Sequence, residues 1–185
     1  AKSLALYGLN GGDHATLYLY TSRKTDVTVS WIDSKGAQQT NQQELKANRA
    51  SAIDLGDVPK SATGIAIAAS EPVSATAKIS DDGPDGQSDF ALVNASAPAK
   101  ISAIAVPDQS TATVGFVNTA DEDRTAIMTA YGTDGKQVDR REIAIRPSAS
   151  TSVRIADIND GDVAAIRLKD PAQAVVWNLR VGQKD

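Results

Sequence analysis

The chain has 185 residues, no cysteine, one histidine and a formal net charge of −4, with 41% hydrophobic residues but only two Phe, two Trp and four Tyr. That composition excludes disulfides, thiolate metal sites and cysteine nucleophiles, and the scattered basic residues do not form the clustered positive face that nucleic-acid binding needs. Cores must come from Val, Ile, Leu and 30 alanines. No apolar run approaches the roughly 18 to 20 residues that span a bilayer as a helix, and no charged-then-apolar leader opens the chain.

Ser3 to Tyr7 reads as a short strand closed by the turn-rich Gly8-Leu9-Asn10-Gly11-Gly12-Asp13. Ala15 to Tyr20 and Val27 to Trp31 alternate apolar and polar residues, the period of a half-buried strand. Asp33-Ser34-Lys35-Gly36 turns the chain back through the polar run Gln38 to Gln43, which has no apolar face and is expected to be an exposed edge strand or loop. Ala50 to Leu55, Gly64 to Ala69 and Val73 to Ile79 complete about seven strands, separated by Gly56-Asp57-Val58-Pro59 and Ser70-Glu71-Pro72.

Ser80 to Lys100 interrupts this pattern. Asp81-Asp82-Gly83-Pro84-Asp85-Gly86 has loop composition, Phe90 to Val93 is a short apolar run, and Ala95-Ser96-Ala97-Pro98-Ala99 is linker-like. The Phe90 run is expected to lead the second unit as an extra strand, or to wedge between two units and join them as a rod.

The strand order then recurs: Ser102 to Val106, Ala112 to Asn118, Thr125 to Tyr131, Val138 to Ile145, Thr151 to Ile155, Val163 to Leu168 and Ala172 to Val181. The clearest hairpin is Thr125 to Ile145, turning at Thr133-Asp134-Gly135-Lys136, because Gly accepts the positive φ that a tight hairpin turn demands. Gly36 and Gly135 lie 99 residues apart, as do Pro72 and Pro171. Ala15-Thr16-Leu17 answers Ala112-Thr113-Val114, Ile53-Asp54-Leu55 answers Val153-Arg154-Ile155, and Trp31 is matched to Tyr131. The expected fold is therefore all-β: two tandem antiparallel immunoglobulin-like or fibronectin-like β-sandwiches from an internal duplication. Their expected bounds are 1–80 and 99–185, with a linker at 81–98. Helix is disfavoured despite the alanines, since no sustained 3.6-residue stripe exists.

Phe116-Val117-Asn118-Thr119, Tyr131-Gly132-Thr133-Asp134-Gly135, Ile145-Arg146-Pro147-Ser148-Ala149-Ser150 and Asp170-Pro171 together resemble the β-sandwich modules of large secreted or envelope-associated actinobacterial proteins of unassigned function. The first unit departs from this pattern with Thr21 in place of the asparagine. The resemblance implies a non-catalytic module, extracellular or associated with a Gram-positive cell envelope, acting as a spacer or in adhesion and assembly. From the sequence itself, no cofactor and no nucleic-acid partner are expected. A cell-envelope glycan or another envelope protein is the expected partner, and membrane anchoring is expected only through segments outside these residues. Two alternatives stand beside it: a carbohydrate-binding module using exposed aromatics, and an intracellular accessory subunit.

Five groups of residues bear on chemistry. His14 next to Asp13, with Ser22 or Ser34 as nucleophile, would make a hydrolase, but adjacent Asp and His cannot orient one another as a triad needs, so an exposed turn residue is expected. Asp157-Ile158-Asn159-Asp160-Gly161-Asp162 places its glycine and final residue wrongly for a helix-flanked calcium loop. Asp81, Asp82, Asp85 and Asp89 are the other acidic cluster, weighed as a calcium-binding linker against a solvated connection. Trp31 and Trp177 are expected in cores by their phase with neighbouring aliphatic residues. Tyr18 and Tyr20 share the face opposite Leu17 and Leu19, and if the leucines point inward the tyrosines form an exposed ligand-binding pair.

Overall fold

Side-chain alternation organises the whole molecule. The computed structural model describes residues 1–82, 88–106, 112–158 and 162–181. The first half holds β1 (Ser3–Tyr7), β2 (His14–Thr21), β3 (Thr25–Ile32), β4 (Ala37–Leu45), β5 (Arg49–Asp57), β6 (Gly64–Ala69), β7 (Val73–Asp82) and β8 (Ser88–Asn94). The second holds β9 (Ile101–Ala105), β10 (Ala112–Asn118), β11 (Arg124–Tyr131), β12 (Gln137–Ile145), β13 (Ser150–Arg154), β14 (Ala165–Lys169) and β15 (Val175–Val181), with a 3-10 turn at Ile155–Asp157. The fold is all-β and its paired strands are antiparallel.

Four sheets form, ordered β1-β6-β3-β4, β5-β2-β7-β8, β12-β11-β14-β9 and β13-β10-β15. Strand for strand, β9 to β15 repeat the neighbour order of β1 to β7. This order departs from the immunoglobulin arrangement, whose first strand neighbours its second. Here β1 pairs with β6, and β2 pairs with β5 and β7. Periodicity sets which face of a strand is buried, but it carries no information about which strand lies alongside.

The sheets pack in pairs through apolar faces turned toward one another. Leu4, Leu6, Val29, Trp31, Ile65 and Ile67 of one sheet meet Leu17, Leu19, Ile53, Val73 and Ala77 of the next. In the second half, Met128, Ile143, Ile166 and Leu168 meet Val114, Phe116 and Val175. Phe116 is fully enclosed, and its truncation to Ala costs about 3–5 kcal/mol by analogy with other buried aromatics.

Both hairpins carry a β-bulge near the end of their first strand, between Ser30 and Ile32 and between Ala130 and Tyr131. Register corrects the expected match of Trp31 to Tyr131. Trp31 pairs with Ile65 and Ala130 with Ile166, the equivalent position, so a tryptophan in one core answers an alanine in the other. The polar run Gln38 to Gln43 lies in β4, an edge strand. At the second turn Gly135 has φ +76°, the Gly132 amide donates to Lys136 O at 2.9 Å, and the Lys136 amide donates to Asp134 Oδ1 at 2.9 Å. Hydrogen bonds from the Lys136 side chain and amide hold the Asp134 carboxyl below its ordinary pKa.

Strand ends are closed by buried polar groups. Asn118 Nδ2 donates to the carbonyls of Glu122 (2.8 Å), Ile145 (3.2 Å) and Arg146 (3.0 Å), while its Oδ1 accepts from the Ala120 amide at 2.9 Å. Thr21 stands at the equivalent place, its hydroxyl donating to Arg23 O at 2.7 Å. Asp170 is buried and accepts from the amides of Ala172 (3.1 Å), Ala174 (2.7 Å) and Val175 (2.7 Å), which makes the acidic-proline turn a structural device.

The two halves join through the outer faces of their inner sheets. Ala5, Ile32, Val117 and Val176 form a third apolar cluster, with Tyr7 and Ala66 against it. The Tyr7 ring lies on Gly115, where an added Cβ would sit 1.8 Å from Tyr7 Cδ1. Ser150 N donates to Asp33 O at 2.8 Å, and Thr63 Oγ1 and Ser150 Oγ share a hydrogen bond at 2.6 Å. Four sheets thus stack as successive layers. The Phe90 run, expected to lead the second half or wedge between halves, forms β8 and pairs with β7 instead, from Thr76↔Asn94 to Asp82↔Ser88. Beyond β8, Ser96 and Ala5 exchange backbone hydrogen bonds at 2.9 Å.

Candidate functional site

The outer face of β5-β2-β7-β8 carries the most distinctive exposed side chains. Leu17 and Leu19 are buried, so alternation along β2 turns His14, Thr16, Tyr18 and Tyr20 outward in a single row. Tyr18 is 45% exposed and Tyr20 48% exposed. Two positions along a strand place the rings roughly 6.8 Å apart in the strand direction.

Their neighbours explain why the rings stay uncovered. Tyr18 sits between Ala52 on β5 and Thr76 on β7, and Tyr20 between Ala50 and Ser74. None of these side chains is large enough to cover an aromatic face. Toward β8, Thr76 Oγ1 donates to Asn94 Oδ1 at 2.7 Å, and Leu92 stands opposite Lys78 with 63% of its surface exposed. The face therefore combines two ring platforms, an aliphatic residue and several hydroxyl, amide and carboxylate groups.

His14 closes the row at the β2 start. Its Nε2 is 3.0 Å from Asp54 Oδ1 and its Nδ1 3.3 Å from Asp57 Oδ1, both carboxylates coming from β5. This corrects the turn placement: His14 is a strand residue, and its partners are Asp54 and Asp57 rather than Asp13. Neither Ser22 nor Ser34 is among its hydrogen-bond partners in the described residues. The groups are solvent-exposed, so the pairs contribute about 0–1 kcal/mol each.

Among the other candidates, Trp31 is buried in the first core as expected. Trp177 is only half-buried, with Nε1 donating to Ser102 Oγ. Asp81 and Asp89 fall opposite one another on the backbones of β7 and β8, with Asp82 opposite Ser88, while Asp85 lies outside the described residues. Asp157 is held by Arg154, whose Nε and Nη2 each lie 3.1 Å from its carboxylate oxygens. Positions 159–161 lie outside the described residues. No group of three or more His, Cys, Asp or Glu poised for a metal occurs among the described residues.

The tyrosine pair was legible from the phase of Leu17 and Leu19. Missed were the small residues flanking it and the His14 cluster. The alternation Ala50-Ser51-Ala52-Ile53 held a usable signal, since the buried Ile53 places both alanines outward beside the rings.

A family model matches residues 1–156, which takes in all of this face. The chain belongs to the family of unknown function DUF5719. The DUF5719 match ends within the 3-10 turn, before β14 and β15. No curated protein matches the sequence. Among solved structures, one determined to study proton-coupled electron transfer in oxalate decarboxylase aligns at a TM-score of 0.29 with 7% identity, covering 96% of this chain and 67% of that one. A Bacillus subtilis oxalate decarboxylase with Mn(II) centres aligns at 0.30 with 7% identity and the same coverage. The M60 catalytic domain with two CBM51 domains from Clostridium perfringens ZmpB aligns at 0.23 with 10% identity, covering 96% of this chain and 34% of that one. At these TM-scores the alignments do not bear on what the DUF5719 chain does.

Proposed function

We propose that this DUF5719 chain is a non-catalytic module of the extracellular space or of a Gram-positive, actinobacterial cell envelope, and that it holds a glycan on the outer face of β5-β2-β7-β8. The observation that carries this reading is the row of Tyr18 and Tyr20 on a rigid strand with only Ala50, Ala52, Ser74 and Thr76 beside them. An exposed aromatic face stacks on the apolar side of a sugar ring, and the phenol, Thr76, Asn94 and Asp54 supply hydrogen-bonding groups at its edge. Held on a strand, the two rings need little ordering on binding, which reduces the entropic cost.

The shared strand order of the two halves supports an origin by internal duplication, with the sandwich varied from the immunoglobulin order. The packed interface of Ala5, Tyr7, Ile32, Val117 and Val176 supports a second role as a stiff spacer that presents the face at a fixed orientation. A glycan array at high protein density tests the first role. Binding that falls at least tenfold in Tyr18→Ala with Tyr20→Ala, at unchanged melting temperature, is expected. Binding indifferent to both substitutions, or no binding to any envelope polysaccharide, removes the glycan role and leaves the spacer.

A further inference from the structure

Two sheets end the stack, and their outer faces differ in chemistry. At the end away from the tyrosine row lies the outer face of β12-β11-β14-β9, which no further sheet covers among the described residues. Register sets what it presents. Arg140 on β12 and Arg167 on β14 both stand opposite Thr129, making a row across three strands, and Lys169 follows Arg167 two positions along β14. Met128, Ala130, Ile166 and Leu168 are buried in the core, so alternation turns Thr129, Arg167 and Lys169 outward, and Arg140 shares the face of its partner Thr129. All three cations are exposed.

Among the described residues, none of the three side chains enters an ion pair or a side-chain hydrogen bond, whereas Arg23, Arg124, Arg141 and Arg154 each hold a carboxylate. Glu142, the carboxylate that register places on this face among the described residues, stands opposite Ile127, two positions along β12 from Arg140, and pairs with none of them. The same positions in the first half are uncharged: Thr40, Ala66 and Ala68 stand where Arg140, Arg167 and Lys169 do. There the face receives the second half through Ala5, Ile32 and Ala66. A terminal layer needs only a polar surface to stay soluble. Three mutually repelling cations on a chain of net charge −4 exceed that need.

We propose that this face binds an acidic polysaccharide, with carboxylate or phosphate groups seated along the row of Arg140, Thr129 and Arg167. Neighbouring strands lie about 4.8 Å apart, so the two arginines rise roughly 10 Å from one another and both can reach one anionic group above Thr129. Each guanidinium offers an oxyanion two parallel N–H donors, and Lys169 meets the next charge along the polymer. Ile101, 50% exposed opposite Lys169, gives a sugar ring an apolar contact. The spacing of the cations suits a polymer with one anion per sugar or fewer. A nucleic acid carries denser charge, which the net negative chain repels, and Tyr131, the aromatic residue of this face, is half-buried rather than free to stack on bases.

The test uses the full chain carrying Tyr18→Ala with Tyr20→Ala, so that success or failure of the tyrosine face cannot alter the result. Calorimetric titration with dextran phosphate and with polygalacturonate is expected to show binding that added salt weakens, and unmodified dextran none. Arg140→Gln with Arg167→Gln is expected to lower the affinity at least tenfold at unchanged melting temperature. Lys2→Gln with Lys60→Gln removes the same charge from exposed sites in the first half and is expected to leave it unchanged. Silence of both acidic polymers at low salt, or an equal fall in the two charge variants, would overturn the proposal. Tighter binding of a single-stranded oligonucleotide or of phosphatidylglycerol vesicles would also overturn it, assigning the face to nucleic acid or to a membrane.

Discussion

Replacing Gly115 with Ala tests how the two halves are joined. The new Cβ would lie 1.8, 2.1 and 2.3 Å from three atoms of the Tyr7 ring, distances no side-chain adjustment of the alanine can relieve. The ring must leave the interface, forfeiting burial worth roughly 2 kcal/mol for a half-buried aromatic, with some strain added where sheets cannot separate. The expected loss is about 2–3 kcal/mol, or about 5–10 °C in melting temperature at this chain length. A second substitution gives the argument its edge. In a Tyr7→Ala background the clash is absent, and alanine is then favoured over glycine in a strand by roughly 0.5–1 kcal/mol. Gly115→Ala should therefore change sign between backgrounds, destabilising the native chain and stabilising Tyr7→Ala, in calorimetry or denaturant titration of all four proteins. Equal destabilisation in both backgrounds would refute the ring-on-glycine account.

Asn118→Ala should cost about 2–4 kcal/mol, since it strips donors from three carbonyls at a closed strand end, whereas Thr21→Ala should cost about 1 kcal/mol; denaturant midpoints compare them. Asp170→Ala should cost about 2–4 kcal/mol and raise amide exchange at Ala174 and Val175, read by proton exchange NMR. Tyr18→Ala and Tyr20→Ala should each stay within about 0.5 kcal/mol of the native stability, because exposed rings lose little on truncation. The Asp134 carboxyl, held low in the folded state, stabilises the hairpin above its unfolded pKa and loses that contribution as pH falls through the folded value. Its NMR titration midpoint should rise in Lys136→Gln, and an unchanged midpoint would exclude the Lys136 side chain as the cause.

Much of the fold could be read from residue order because alternation is a local property. Val27, Val29 and Trp31 announce their buried face, and Asp134-Gly135 announces its turn, with no knowledge of distant strands. Pairing is not local. Nothing in Ser3 to Tyr7 says that β6 will lie beside it, so the familiar immunoglobulin order was expected and a different one is found. β8 teaches the same lesson: its apolar run was expected to lead the second half or wedge between the halves, while its edge partner lay in the first. Matching Trp31 to Tyr131 by their aromatic side chains departed by one residue from the 99-residue spacing of Gly36 and Gly135, the length of error that reverses a strand's face. In the candidate site, the outward tyrosines followed from the leucines between them. The carboxylates at His14 come from β5, some forty positions onward, and no spacing rule reaches that far.

The attachment of β8 to β7 has a consequence for the order in which the protein is made. The ribosome delivers the chain from its amino terminus, and the first half has all seven of its core strands once residue 82 has emerged. Its outer sheet nevertheless keeps a bare edge at β7 until residues 88–94 follow. At roughly 5–20 residues per second the delay is about a second. During that interval the nascent protein presents an unpaired strand edge to its neighbours on the same messenger, and the hairpin that closes it is short enough to form in microseconds once its residues are free.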